Sequence, residues 1–414
     1  MLNNSAVPQE YRQNFIHLYF DIAWFGILSG SAINFLNIYA ARLGATGIQI
    51  GLLSAMPAVV SLILSMPAGN WLQTRSMGKA VFWSAVLSRL GYFLFIPLPW
   101  LFNNQGQIWA LTVITLAMGI PMCSLNVGFN ALFASAVPIE WRASVMGIRN
   151  MVQSLTFIIA SIGTGYILNH LPFPMGYQVI FGIGFLSAAM SSFHLFFVRP
   201  HAQTISTLVS SSLSPLNTGS ANNRPDWHIS LRLDIWQTRY RNILLVFLGF
   251  HIAQYLSLPL FSLYTVNVLH LTDANIGVGT ALFYLTVLLG STQLSVLERK
   301  VGHHKITGWG VVGMSVYPIA MALSRNPIHY YLLSIAGGFA WAMVAGAYAN
   351  YLLEQIPEDD RPSHLAWYNV VLNAAVLIGS VAGPFLAGYI GLGVAMILFG
   401  SFRLLAGVAI LKWG

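Results

Sequence analysis

Phe15 to Leu43 reads FIHLYFDIAWFGILSGSAINFLNIYAARL, and this stretch decides the fold. It is apolar and contains no proline, and a helix needs roughly 20 such residues to cross a hydrocarbon core about 30 Å thick. Asp21 lies inside it, with His17 one helical turn earlier and Trp24 on the same face. An ionisable side chain at bilayer depth is costly, so it marks a functional site by default. Of the eleven acids in the chain, Asp21 alone lies well inside an apolar span. Two readings compete: a protonatable site at the edge of a central cavity, and a neutral aspartic acid bonded to a neighbouring helix. The first, with His17 as partner, is the expectation carried forward.

The rest of the chain agrees with a membrane-spanning first helix. Of 414 residues, 56% are hydrophobic and 7% charged, against about 25% charged in soluble domains. The net charge of +8 is spread over short connections between apolar spans, which argues against a nucleic-acid face. A single cysteine, Cys123, excludes an internal disulfide framework. Met1 to Gln13 is polar and leads straight into the first span, so no cleavable leader is expected.

Twelve spans are expected, near 13–43, 47–69, 79–102, 106–136, 143–169, 174–198, 240–269, 274–297, 305–324, 328–355, 363–390 and 391–412. In lipid, segments of this length and pattern satisfy their backbone groups as helices. The long connection, 199–239, opens with a Ser-, Asn- and Gly-rich linker, Ser206 to Asn223. It closes with Asp226 to Arg241, whose mixture of Trp, Leu and Arg predicts a helix on the membrane surface. If both termini share one side, that side holds Arg12, Arg75, Lys79, Arg142, Arg149, Arg199, Arg224, Arg232, Arg239, Arg241, Arg299, Lys300, Lys305, Arg361 and Lys412, fifteen in all, against Arg42 and Arg325. The excess predicts cytoplasmic termini and linker in a multi-pass protein of the cytoplasmic (inner) membrane.

The chain also repeats. Pro138/Pro357, Arg142/Arg361, Ser144/Ser363 and Asn150/Asn369 share one offset of 219 residues. Arg75/Arg299 and Gly78/Gly302 recur at 224, and Asn14/Asn242, Leu43/Leu271 and Gly51/Gly279 at 228. Regions repeating in order at nearly constant spacing predict two six-helix bundles, 1–198 and 240–414, joined by 199–239.

In these features the whole chain resembles the major facilitator superfamily, with its twelve helices, parallel six-plus-six repeat and long middle loop. Gly69 to Lys79 resembles the family motif between the second and third helices, keeping Gly69, Arg75, Gly78 and Lys79 but lacking the aspartate. Glu298-Arg299 in the second half keeps the acid–arginine pair. The arginine often tied to proton coupling would fall near Thr115. The antiporters' Gly-Pro motif would fall near Thr164 and Gly165, where there is no proline; Gly383-Pro384 holds the equivalent place in the second half. The resemblance implies a path lined by the first, fourth, seventh and tenth helices, and a cytoplasmic gate of Arg75, Arg142, Glu298, Arg299 and Arg361.

The candidate cavity residues are Trp24, Asn126, Asn130, His251, Gln254, Tyr255, Trp341, Asn350, Asn369 and Asn373. His251, Gln254 and Tyr255 share a face just before Pro259, whose bend leaves carbonyls available; helix–helix hydrogen bonding is the equal alternative. Asn34 and Asn37 turn away from Asp21 and fit an outer mouth. Arg89 and Arg403 lie inside apolar runs of outer helices and read as structural. Gly308 to Gly313 matches the dinucleotide fingerprint but lies within a span, where small residues serve packing. His303-His304 lacks a second ligand cluster, so no metal site is assigned.

The expectation is a monomeric secondary transporter, not an enzyme and without cofactor, in the lipid bilayer. It moves a small neutral or weakly charged organic solute by alternating access, with protons coupled through Asp21. The alternative is a non-transporting membrane receptor or assembly factor on the same fold, which would have a filled centre.

Overall fold

A computed structural model describes residues 9–199, 232–357 and 360–414. Among these residues twelve long helices follow one another. Helix α1 runs Gln9–Leu28, passes a π turn at Ser29–Ile33 and continues as Asn34–Arg42. Then come α2 (Gly47–Gln73), α3 (Met77–Phe95), α4 (Asn104–Ala136), α5 (Ile139–His170) and α6 (Met175–Phe197). The second set is α7 (Tyr240–Leu263, prolonged by a π turn at Tyr264–Val268), α8 (Asp273–Val301), α9 (His303–Leu323), α10 (Pro327–Glu354), α11 (Arg361–Ile390) and α12 (Leu392–Trp413). Eleven are long and apolar enough to cross a membrane; α3, with Lys79 and Arg89 among its 19 residues, is the exception.

Local chemistry sets the ends. Thr46 and Gln49 form a reciprocal capping box at the start of α2, and Asn103, Thr272 and Asn326 cap α4, α8 and α10. Three boundaries differ from the hydropathy reading. Helix α5 begins at Ile139, not 143, because Pro138 is pre-set for the position before a first turn. Arg149 is therefore ten residues into the helix and leaves the count of loop charges. Helix α8 continues to Val301, carrying Glu298 and Arg299 in its last turns, until Gly302 at φ +86° stops it. The third span ends at Phe95, and a one-turn helix, Leu98–Leu101, follows Pro97.

The linker Ser206–Asn223 and residues 226–231 lie outside the described residues. The rest of the expected surface helix is instead a 3₁₀ turn, Leu233–Gln237, with Ile235 buried and Trp236 edge-to-face on Trp367 at 5.4 Å. Arg232 bonds Asp234 at 3.0 Å and Asp360 at 2.8 Å. The Ser363 hydroxyl, helped by Arg232, holds the Asp360 carboxyl below its usual range.

Two six-helix bundles result. In the first, α1 packs on α5 and α6, α2 on α4, and α3 on α4 and α6. In the second, α7 packs on α11 and α12, α8 on α10, and α9 on α10 and α12. The bundles meet along two seams, α5–α8 and α2–α11. The repeat relates these seams. Gly51 of α2 lies against the Ser380 carbonyl of α11, and Gly277 of α8 against the Ser161 carbonyl of α5. Ser161 and Ser380 stand at the same offset of 219 as Arg142 and Arg361. A β-carbon at either glycine would collide with that carbonyl, so close backbone approach requires glycine.

The termini and linker share one end of the molecule, the linker end; the other is the far end. At the far end one buried apolar cluster crosses both bundles, including Phe35, Tyr39, Leu260 and Tyr264. Toward the linker end the core divides into separate clusters, one with Phe15, Leu18 and Val145, the other with Tyr240, Phe247 and Val344.

Candidate functional site

Asp21 is 3% exposed and lies among α1, α3, α5 and α6. Its Oδ2 accepts from both terminal nitrogens of Arg149, each at 3.2 Å, and its Oδ1 accepts from the Ser191 hydroxyl at 2.5 Å. Arg89 stands 4.0 Å from Oδ1 and donates to the Ser192 hydroxyl at 2.8 Å. Arg149 also donates to the Leu18 carbonyl at 2.6 Å and lies over the Phe129 ring at 4.8 Å. Two guanidinium groups thus share one buried carboxylate. The partner of Asp21 is Arg149, not His17: the His17 ring lies 3.0 Å from His194 Nδ1 and stacks on Phe197. Trp24 is half-buried on the same helix.

In the second bundle the matching helix pair, α7–α11, is joined differently. His251 Nε2 meets the Tyr368 hydroxyl at 2.9 Å, and Tyr368 stands 219 residues after Arg149. His251 is buried against Phe247 and Phe250, a helix–helix bond rather than a cavity group.

A cavity of about 420 Å³ lies between the bundles. Asn34 and Asn37 of α1 line it from one side; Gln254, Tyr255, Tyr284, Tyr317, Trp341 and Arg403 line it from the other. Of the predicted residues it gathers Gln254, Tyr255 and Trp341, and it adds both α1 asparagines assigned to an outer mouth. Asn126, Asn130 and Asn369 are exposed, and Asn130 and Asn373 donate to carbonyls of their own helices. Asn350 lies with His303, Glu354 and Arg361 in a separate hollow at the linker end. A larger space, about 650 Å³, opens on the flank of α2, α3 and α4. Its almost wholly apolar lining suits lipid tails better than a polar solute.

The expected gate residues all lie at the linker end. Arg142 turns back to the Ala134 and Val137 carbonyls at 2.6 and 3.1 Å. Glu298 is 3.6 Å from His303, whose other nitrogen meets Glu354 at 2.6 Å. Arg75, Arg299 and Arg361 are exposed. The polar ties between bundles gather at the far end instead. Arg42 pairs with Asp273 at 3.2 Å and donates to the Leu271 carbonyl at 2.5 Å; Tyr177 donates to Asp273 at 3.0 Å and Ser161 to the Gly277 carbonyl at 3.1 Å.

Sequence reading missed Arg149, Ser191 and the inward reach of Arg403. A serine in an apolar span gives no signal of its own. Arg149 was hidden by the misplaced start of α5.

The sequence profile described as Major Facilitator Superfamily matches residues 22–272 and 243–414. The chain belongs to the major facilitator superfamily. Its relatives include the cis,cis-muconate transport protein of Acinetobacter baylyi, 23% identical over 300 residues, which are 69% of this chain and 67% of that protein. The quinolone resistance protein NorA of Staphylococcus aureus is 25% identical over 148 residues, 36% of this chain and 37% of that one. Among solved structures, a D-xylose-proton symporter superposes with a TM-score of 0.71 at 15% identity, over 98% of each chain. The nucleoside transporter NupG gives 0.67 at 12% identity, over 98% of this chain and 99% of that one. At such identities the superpositions establish the fold alone. With the family match, they make this superfamily member a multi-pass membrane transporter.

Proposed function

We propose that the chain carries a small organic solute by alternating access, the bundles 1–198 and 240–414 rocking about the 420 Å³ cavity. One observation carries this reading: the apolar core is continuous across both bundles at the far end and divided toward the linker end. A closed end and a parted end, with a two-sided cavity between, suit one of two conformations. The basic residues of the linker end place it in the cytoplasm, which makes this the inward-facing form. The far-end ties then belong to one state only, as a gate requires. The cationic and acidic groups of the linker end supply the opposite gate. Proton coupling through Asp21 is retained in a narrower form: a proton is taken up only in a conformation where Arg149 has withdrawn.

The test uses single cysteines at Asn37 and Asn350, with Cys123 replaced by alanine, in vesicles of both orientations treated with an impermeant maleimide. Asp273→Asn should raise labelling of position 37 from the far side and lower that of position 350 from the linker side. A receptor with a fixed core predicts no reciprocal change, and that result would defeat the transporter reading.

A further inference from the structure

The cavity between the bundles holds a cation with no anion. Arg403 belongs to α12, yet its side chain crosses inward to α7 and α9, and the residue is 1% exposed. One terminal nitrogen donates to the Met314 carbonyl at 3.2 Å; the other donates to the Gln254 carbonyl at 3.1 Å and the Ser257 hydroxyl at 2.9 Å. Part of this is structural. Pro318 has no N–H to return to the carbonyl four residues earlier, which is that of Met314, and Arg403 supplies the missing donor.

That role needs a hydrogen bond, not a charge. Every acceptor around Arg403 is neutral, its Nε is buried without any acceptor, and no ion pair among the described residues includes it. Arg149 and Arg89, by contrast, share Asp21. A buried guanidinium is tolerated when a counter-ion or a full set of bonds offsets its lost hydration. Here the set is incomplete, and the gap lies on the wall of the solute cavity. The Gln254 side-chain oxygen, also buried without a donor, lines the same cavity. Tyr255, Tyr284, Tyr317 and Trp341 supply flat, weakly polar walls around them.

We propose that the transported solute is a small organic carboxylate whose anionic group docks at Arg403. This rests on the transporter reading and names its substrate class. One buried cation suits one negative charge, and the aromatic walls suit a flat, unsaturated or aromatic body. The side-chain amide of Gln254 serves a second polar group on the solute. The expectation of a neutral solute fails here because it assigned Arg403 to the scaffold.

The test is binding to the purified full-length protein in detergent, read by tryptophan fluorescence and by thermal shift. The probes are benzoate, 4-hydroxybenzoate and cis,cis-muconate, each beside its neutral amide. At least one carboxylate should bind saturably and at least tenfold more tightly than its amide. Arg403→Gln retains a donor for Met314 and should bring that affinity down to the amide's. Should this variant not fold, Trp341→Leu, which leaves Arg403 alone, should weaken the same carboxylate at least threefold. Equal binding of acid and amide, unchanged affinity in folded Arg403→Gln or in Trp341→Leu, or no saturable binding of any of the three acids would overturn the proposal. The outcome is separable from the transport reading: the labelling experiment needs no solute, so reciprocal labelling without carboxylate binding sinks only the substrate class. Carboxylate binding without reciprocal labelling sinks transport and keeps the site.

Discussion

Asp21 shows what one residue reveals before its neighbours are known. A lone acid in an apolar span was legible, because no bland composition puts a carboxylate there. Its partners were not, since they lie 128 and 170 residues away on helices whose facing sides hydropathy does not order. The local candidate, His17, shared its face but turned to His194. The pairing changes the consequence of Asp21→Asn. Loss of one partner strands two buried guanidinium groups, which costs about 3–5 kcal/mol. We expect a clearly lower unfolding temperature in detergent, partly restored by adding Arg149→Met, which removes one stranded charge. A wild-type midpoint for the single variant would mean the pair does not hold the bundle together. Arg403 was visible as a charge in an apolar run, but its direction depended on a carbonyl freed by Pro318 on another helix.

Helices as elements were the most legible part of the fold, because each must satisfy its own backbone in lipid and therefore carries a long apolar signature. Their ends were less so: charged turns such as Glu298–Lys300 remain helical beyond the apolar core, where hydropathy falls silent. The seams were partly legible. Gly51 appeared in the repeat, yet its role against Ser380 required the packed structure. Gly51→Leu and Gly277→Leu should each force a seam apart at a backbone carbonyl. In folded protein each should increase maleimide labelling of a cysteine at position 37 from the far side at least threefold. Unchanged labelling would show that the seams do not govern access. At the α2 start, Thr46→Ala removes both halves of a capping box and should cost about 1 kcal/mol, read as a small fall in unfolding midpoint.

For the whole molecule, the internal repeat made two bundles legible, and the repeat relation between the seams gives it a mechanical meaning: equivalent serines and glycines meet on both sides of the pseudo-axis. The present conformation was not legible, since one sequence must encode both states and therefore marks neither. Only packing reveals it, through a core joined at the far end and parted at the linker end. The Arg42–Asp273 pair is part-buried and belongs to the closed end. Its loss should therefore shift the balance between states rather than unfold the chain. The most direct test is electron–electron distance measurement in nanodiscs. One pair of spin labels sits at the far end, on Asn104 and Ile328, and one at the linker end, on Thr74 and Lys300, all exposed. Asp273→Asn should lengthen the far-end distance and shorten the linker-end distance together. Distances that stay fixed at both ends, or a far end that opens while the linker end does not close, would contradict alternating access.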